Sequence, residues 1–299
     1  MKPAHPMALS IDLDEWFHGR WATGGPRSRW ADTASVFREV YGGDRPRGDI
    51  VPAARWLLAL FAERRITATF FILGEVAEWY PELVREIAAA GHEIACHGMH
   101  HTDMTTLSRE AFTADLRRAK ELLEKLAGRP VRGYRAPNLV VAPWLADVIR
   151  ELGFTYDSSI CPARSFSGKY QDMMRCPQHP YRTGAKVQDT GNGPLWEIPI
   201  PTFPLLRLPA GTGIATRLFG AWWTRLALAW WARTGSVQFY FHPYEIWNDP
   251  LPAGTGWKTR LFMKSRGRTM QRRTAGILDA YRGRITSLSG LLEKLERAD

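Results

Sequence analysis

The sequence predicts an α/β protein whose mainly parallel sheet is either open or closed into a barrel. In the first half of the chain, short apolar runs alternate with segments of helical period, as in proteins built from β/α units. The 299 residues are 45% hydrophobic and 12% aromatic, which is enough to bury a large core. No apolar run reaches the length of about 18 residues that a membrane-spanning helix needs.

Each predicted element has a local signal in the sequence. In chain order the elements are strand 7–13, helix 51–65, strand 68–74, helix 80–91, strand 92–97, helix 108–128, strand 131–137, helix 142–153 and strand 154–160. Pro81 in the first turn and Gly91 beyond the last turn delimit the second helix. Ser108 is the expected N-cap of the third helix.

The second half is less regular and closes the fold. Residues 161–213 are rich in Pro and Gly, which predicts loops and short strands that wall a cleft. Residues 215–235 have helical period and four tryptophans. We expect one helix packed on the barrel, with an interfacial membrane helix as the alternative. Residues 237–246 read as a strand that ends near His242, and no linker follows. A single domain over 1–299, with a basic helical extension from about residue 250, is therefore expected.

The net charge of +10 is concentrated near the end of the chain. Residues 258–273 hold seven Lys or Arg and no acid, and Lys264, Arg266 and Arg268 are among the seven. The run is either a solvated helix face or a contact for a phosphate-bearing substrate or an anionic membrane surface. Nucleic acid is not expected as a partner, because no DNA- or RNA-binding fingerprint accompanies the charge. The start of the sequence lacks a signal-peptide core, which predicts a cytoplasmic protein or one held peripherally at the inner membrane.

Histidines and aspartates suggest a cation site. His97 and His101 are four residues apart, a spacing that brings both imidazoles to one side of a turn. Asp12 and Asp14 lie at the end of the first strand. One carboxylate with two imidazoles is a common catalytic zinc set that leaves a position for water. The other carboxylate can then accept a proton as general base.

Five motifs occur in order along the chain, namely SIDLDEWF, HGMHH, YRAP, YDSSI and FHPYE. Together they resemble the polysaccharide deacetylases, the NodB-type carbohydrate esterases, in the branch whose first motif reads SxDxExWF. The resemblance covers residues 8–246. It implies a distorted (β/α) barrel and metal-dependent removal of an N-acetyl group from an amino sugar. The expected cation is zinc, with cobalt, manganese and iron as alternatives.

The same resemblance implies a role for each matching residue. Asp14, His97 and His101 match the cation ligands, and Asp12 matches the general base. Leu13 separates the two aspartates, whereas the family's usual motif has them adjacent, so the two roles could be exchanged.

The later motifs imply the remaining site residues. Arg135 matches the arginine that keeps the base ionised. The backbone N–H of Asn138 is expected to hold the oxyanion, and Tyr134 is expected to contact the substrate. His242 matches the acid that protonates the leaving amine. Asp157 matches a carboxylate that orients the catalytic histidine or, alternatively, shapes the pocket.

The carbohydrate substrate is expected to be a lipid-linked or nucleotide-linked N-acetylhexosamine. Two other functions remain open at this point. One is a deformylase that acts on a lipid-linked formamido sugar, and the other is a catalytically silent protein that only binds glycan.

Overall fold

A single curled sheet organises the protein. The computed structural model describes residues 5–23, 25, 28–164, 173–247, 250–253 and 255–297. The strands of this described part are β1 Met7–Leu13, β2 Thr69–Ile72, β3 Glu93–Cys96, β4 Gly133–Tyr134, β5 Tyr156–Asp157, β6 Tyr181–Arg182, β7 Trp196–Glu197, β8 Val237–Phe241 and β9 Ile285–Thr286. Their order is β6-β7-β5-β4-β3-β2-β1-β8, with β9 also paired to β1. β6 runs antiparallel to β7, and the other pairs are parallel.

Irregular backbone closes the sheet into a distorted barrel. Strands β6 and β8 stand at the two ends of the strand order. Between them, the N–H of Ile200 donates to the carbonyl of Ile160 over 2.8 Å, and the N–H of Gly211 donates to Pro201 over 2.9 Å. The N–H of Tyr240 in β8 donates to Gly211 over 3.0 Å. The predicted distorted (β/α) barrel is confirmed, and the loop-rich segment after β5 supplies its closure.

Helices surround the sheet. They are α1 Thr33–Val36, α2 Ile50–Arg64, α3 Gly74–Trp79, α4 Pro81–Ala89, α5 Arg109–Ala127, α6 Leu145–Glu151, α7 Gly213–Phe219, α8 Ala221–Trp231, α9 Pro243–Ile246, α10 Trp257–Phe262, α11 Arg268–Ala280 and α12 Leu288–Glu296. Two predicted boundaries are confirmed. Pro81 begins α4, and the Ser108 hydroxyl caps α5 by accepting from the N–H of Ala111 over 3.1 Å.

The single helix predicted for residues 215–235 was wrong. α7 ends at Phe219 and α8 begins at Ala221, because Gly220 between them has φ 95° and ψ 165°. That conformation favours glycine, which has no Cβ. Both helices bury residues against the protein on either side of this break.

Two hydrophobic layers position the strands. The larger lies between the outer face of the sheet and the helices, and it includes Cys96. In the smaller, Leu288 and Leu291 of α12 pack with Ala8 and Phe71 from the strands, so α12 covers one end of the barrel. Among the described residues, no helix combines the length and apolar character required to cross a bilayer.

Candidate active site

A cavity of about 330 Å³ opens where the parallel strands end. Its lining includes six residues predicted from the sequence: Asp12, Asp14, His97, His101, Asn138 and His242. Parallel strands bring their carboxyl ends to one rim of a barrel. The ends of β1 and β8 and the segments after β3 and β4 therefore meet here, although they are far apart in the sequence.

Asp14, His97 and His101 form a cluster that could hold a metal ion. Oδ2 of Asp14 lies 3.3 Å from Nε2 of His101 and 3.9 Å from Nε2 of His97. One potential ligand atom from each residue lies within 4.8 Å of the other two. The second oxygen of Asp14 is buried and has no hydrogen-bond partner among the described atoms. These separations fit a divalent cation bound at about 2.0–2.2 Å from each ligand.

Hydrogen bonding orients His97, and burial and charge shift the pKa values of His97 and Asp14 in the directions that favour cation binding. Nδ1 of His97 lies 2.8 Å from the carbonyl oxygen of Arg135. A proton on Nδ1 donates to that oxygen and leaves the Nε2 lone pair facing Asp14. Burial lowers the pKa of His97, which favours the neutral imidazole that metals require. Burial acts to raise the pKa of Asp14, but the charges of His101 and His97 outweigh it and hold that pKa well below its usual range.

Glu75 is a buried carboxylate behind the histidines that the sequence analysis did not single out. Its Oε1 accepts from the backbone N–H of His101 over 3.3 Å and lies 3.5 Å from Nε2 of His18. Its Oε2 lies 3.0 Å from Nδ1 of His100. Glu75 thus fixes the loop that carries His101. No motif marked it, because it belongs to α3, whose only link to the site is spatial.

Asp12 and Arg135 form a buried ion pair on the other side of the pocket. Nη1 of Arg135 donates to Oδ1 of Asp12 over 2.6 Å. The other guanidinium N–H groups donate to Ser10, Ser158 and Gln238 over 2.8–3.0 Å. All five donors of the fully buried guanidinium can thus be satisfied. The two aspartates are therefore held differently, Asp14 by the histidines and Asp12 by the arginine.

His242 has a carboxylate partner that the sequence analysis left without a role. Nδ1 of His242 lies 3.1 Å from Oε2 of Glu245, and Nε of Arg217 donates to Oε1 of Glu245 over 2.7 Å. Burial acts to lower the pKa of His242, but the hydrogen bond and charge of Glu245 outweigh it and raise that pKa. Gly213 makes room for this pair, since a Cβ there would stand 2.0 Å from Oε2 of Glu245. Nε2 of His242 faces the cavity, 3.9 Å from Asp12 and 4.0 Å from Asp14.

Asp157 does not orient a histidine in the structure. No hydrogen bond or ion pair joins it to any histidine among the residues described. Instead Oδ1 of Asp157 accepts from the hydroxyl of Ser159 over 2.6 Å, and β5 places Asp157 directly beside Glu197 of β7. Burial raises the pKa of Asp157 to about 6. The expectation that Asp157 orients the catalytic histidine was wrong, because Glu245, only three residues from His242, occupies that position. The alternative, that Asp157 shapes the pocket, stays a prediction.

Tyr134 is also not at the pocket. It precedes Arg135, and side chains of successive residues in extended backbone point to opposite faces. The ring of Tyr134 is fully buried, with ring centroids 6.2 Å from Phe112 and 6.0 Å from Phe154. The expectation that Tyr134 contacts substrate was therefore wrong, since Arg135 takes the inward direction.

Asn138 lies on the cavity wall in a left-handed conformation. Its φ is 57° and its ψ is 8°, and Leu139 after it has φ 58°. The Asn138 side-chain nitrogen lies 3.5 Å from Nδ1 of His101. A side-chain amide has both an acceptor and donors. If the Asn138 amide is rotated by half a turn, its oxygen can accept a hydrogen bond from Nδ1–H of His101. The lone pair on Nε2 of His101 is then available to bind a cation.

Comparisons with known proteins agree with this fold. Residues 48–156 match the family model described as polysaccharide deacetylase, and residues 158–286 match a domain of unknown function, DUF3473. The chain is 36% identical over 97 residues to a chitooligosaccharide deacetylase of Rhizobium leguminosarum bv. trifolii, covering 31% of this chain and 42% of the relative. It is 26% identical over 153 residues to a peptidoglycan-N-acetylglucosamine deacetylase of Bacillus cereus, covering 46% and 52%. The chain thus spans about half the length of these curated relatives.

A solved structure extends the likeness to the whole chain. A Mycobacterium smegmatis protein, provisionally named a polysaccharide deacetylase, superposes with a TM-score of 0.67 at 21% identity. The superposition covers 100% of this chain and 92% of the other, which shows a shared fold. Residues 48–156 therefore match the polysaccharide deacetylase family model, and the chain as a whole shares the fold of this solved structure.

Proposed function

We propose that the protein is a metal-dependent hydrolase that removes an N-acetyl group from an amino sugar. The observation that carries the proposal is the cluster of Asp14, His97 and His101 at the rim of one cavity, with Asp12 and His242 beside it. The two curated relatives are named as deacetylases of chitooligosaccharide and of peptidoglycan N-acetylglucosamine, which supports acetyl rather than formyl as the group removed.

Asp14, His97 and His101 would hold the cation, and zinc is the cation expected. A divalent ion bound by these residues would supply Lewis acidity and would lower the pKa of water there to roughly 7. Asp12 then takes the proton of the attacking water as general base. Arg135 fixes the position of the Asp12 carboxylate at the cavity, since Nη1 of Arg135 donates to Oδ1 of Asp12 over 2.6 Å.

The chain's remaining groups complete the hydrolysis. As water adds to the amide carbon, the backbone N–H of Asn138 donates to the oxygen that becomes negative. His242, whose pKa is raised by the hydrogen bond and charge of Glu245, delivers a proton to the amide nitrogen from Nε2. The C–N bond then breaks and releases acetate and a free amine. No covalent bond to the protein forms in this sequence of steps.

The substrate we propose is an N-acetylhexosamine within a glycan, or one carried by a lipid or a nucleotide. The whole chain would act as one catalytic domain. Support for this comes from β9, near the end of the chain, which pairs with β1 at Met7 and Ala8, and from α12, which packs on the strands.

An acetate-release assay with metal content measured on the same sample tests the proposal. Chitooligosaccharides, nucleotide-linked N-acetylglucosamine and formylated counterparts serve as substrates. Asp14→Asn should lose both metal and activity, whereas Asp12→Asn should keep the metal and lose about 10²–10⁴ in rate. Asp44→Asn, an exposed aspartate, is the matched control. Equal metal retention by the Asp12 and Asp14 variants would contradict the assignment, and a metal-loaded protein inactive on every substrate would favour a glycan-binding role.

A further inference from the structure

The exposed hydrophobic side chains of this protein are concentrated in one part of the chain. Among the described residues, eleven large hydrophobic side chains are exposed, and ten of them fall between residues 205 and 262. They belong to the loop 203–208, to α7 and α8, and to α10. We call the exposed faces of these four segments the docking surface. Large apolar patches on a protein surface mark sites of interaction.

Helix α8 is apolar on both of its faces. Trp223, Ala227 and Leu228 are buried against the protein. Trp222, Leu226 and Trp230 are four residues apart, so they share the opposite face, and Trp222 is 62% exposed. A surface helix in water normally carries polar residues on that side. The outer face of α8 thus has the composition of a contact surface.

The loop 203–208 presents two leucines at its tip. Leu205 is 94% exposed, and Leu206 beside it is half exposed. Leu205 and Arg207 have φ of 66° and 52°, a left-handed conformation that is unfavourable for residues with a Cβ. Backbone hydrogen bonds between Phe203 and Leu208 (2.7 Å) and between Arg207 and Phe203 (3.0 Å) hold the loop in this shape. The loop thus keeps two leucines in solvent by means of an ordered backbone.

Contacts join the segments that carry the docking surface, and two of these segments reach the mouth of the catalytic cavity. The Phe203 ring stacks on Trp223 of α8 with centroids 3.8 Å apart. Arg217 of α7 donates to the carbonyl of Phe262 over 2.7 Å and lies over its ring. Ile214 of α7 and Phe262 of α10 both line the cavity that holds Asp14. A partner bound to this surface would therefore lie next to the entrance of the active site.

The charge of this region is almost entirely positive. Residues 198–278 contain eleven Lys or Arg and only two acids, Glu245 and Asp249. Glu245 is buried and paired with Arg217, and Asp249 lies outside the described residues. Arg233 lies over the ring of Trp230, and Lys258 lies over the ring of Trp257. Tryptophans with basic side chains alongside them are the composition of helices that lie in the headgroup region of a membrane.

We propose that the docking surface binds the headgroup region of an anionic lipid bilayer. The apolar side chains of loop 203–208, α8 and α10 enter the interface, and the basic side chains beside them contact lipid phosphates. A bilayer fits better than a protein partner, because the exposed charge on the described residues of this region has one sign and the apolar side chains are spread over several separate segments. The attachment does not depend on the proposed deacetylase activity and can be measured without it.

Vesicle co-sedimentation of the full chain tests this proposal. Vesicles of phosphatidylcholine with roughly one quarter phosphatidylglycerol should bind the protein, and vesicles of phosphatidylcholine alone should bind it much less. The double variant Trp222→Ser/Trp230→Ser should weaken binding at least about tenfold, and Arg225→Ser/Arg233→Ser should weaken it in a salt-dependent way. The matched controls are Met174→Ser, an exposed hydrophobic residue elsewhere, and Arg45→Ser/Arg85→Ser, two exposed arginines elsewhere. Thermal unfolding of each variant checks that it folds.

Three results would overturn the proposal. The first is failure of the wild-type chain to bind anionic vesicles. The second is equal binding by the wild-type chain and the tryptophan variant. The third is self-association in the absence of lipid that the tryptophan variant abolishes, measured by sedimentation velocity, which would assign the surface to a second copy of the chain.

Discussion

Replacing Glu245 with glutamine should lower both stability and activity, for two separable reasons. Glu245 is fully buried between the Arg217 guanidinium at 2.7 Å and Nδ1 of His242 at 3.1 Å. The amide keeps the shape of the carboxylate but removes its charge, which leaves Arg217 as a buried cation without a counter-ion. Removing one partner of a buried ion pair costs about 3–5 kcal/mol of unfolding free energy. The His242 pKa would also fall, and loss of a general acid lowers the rate by about 10²–10⁴.

A second variant separates the two effects. Arg217→Met/Glu245→Gln removes both buried charges, so most of the lost stability should return, because apolar replacement of a buried pair is often close to neutral. The free energy of unfolding should not recover completely, because Arg217→Met also removes the hydrogen bond from Arg217 to the carbonyl of Phe262, which contributes about 1 kcal/mol. Activity should remain low, because His242 still lacks its carboxylate.

Urea denaturation followed by circular dichroism measures the first effect, and acetate release measures the second. If the double variant regained activity together with stability, Glu245 would act only through folding. If the free energy of unfolding of Glu245→Gln lay within about 1 kcal/mol of the wild-type value, Glu245 would not be needed to stabilise the buried charge of Arg217. The first result would refute the orienting role inferred for Glu245, and the second would refute its role as the counter-ion of Arg217.

Two further predictions concern buried charge elsewhere in the barrel. Arg135→Met leaves the Asp12 carboxylate buried without its cation, so we expect the free energy of unfolding to fall by about 3–5 kcal/mol. Adding Asp12→Asn to the same chain should restore part of this loss. Urea denaturation of the wild type, the two single variants and the double variant measures both effects. The Asp157 pKa is raised from 3.8 to about 6. The stability linked to it is therefore fully present below pH 3.8 and is lost as the pH rises through 6, by about 3 kcal/mol in total. Burial and the charge of Asp157 raise the pKa of Glu197 well above its usual range. Glu197→Gln removes this second group, so it should abolish the part of the fall in unfolding free energy that continues above pH 6; an unchanged pH dependence there would contradict the raised Glu197 pKa.

The positions of the candidate cation ligands could be anticipated from the sequence because strand order and strand direction determine them. Asp14 follows β1, and His97 follows β3, and the two strands lie on either side of β2 in a parallel sheet. Their carboxyl ends must therefore reach the same rim. The position of His101 could be predicted from its spacing alone, because residues four apart in a turn or loop can place their side chains on the same side.

Other features depend on contacts that local patterns do not encode. The role of Glu245 could be recognised only from its contact with Arg217, which lies 28 positions earlier in another helix. Tyr134 was placed at the pocket because it shares a motif with Arg135, although alternation along extended backbone sends the two side chains to opposite faces. The break at Gly220 could have been anticipated, since a glycine inside a helical pattern weakens it. The exposure of Trp222 and Trp230 could not be predicted without knowing which face of α8 packs on the barrel.

Anomalous diffraction at the zinc absorption edge, from a crystal grown with zinc chloride, tests the central claim most directly. We expect one strong peak within bonding distance of Oδ2 of Asp14, Nε2 of His97 and Nε2 of His101, and no such peak in the Asp14→Asn variant. A peak coordinated by other residues, or no peak in this cavity in a fully zinc-soaked crystal, would contradict the claim.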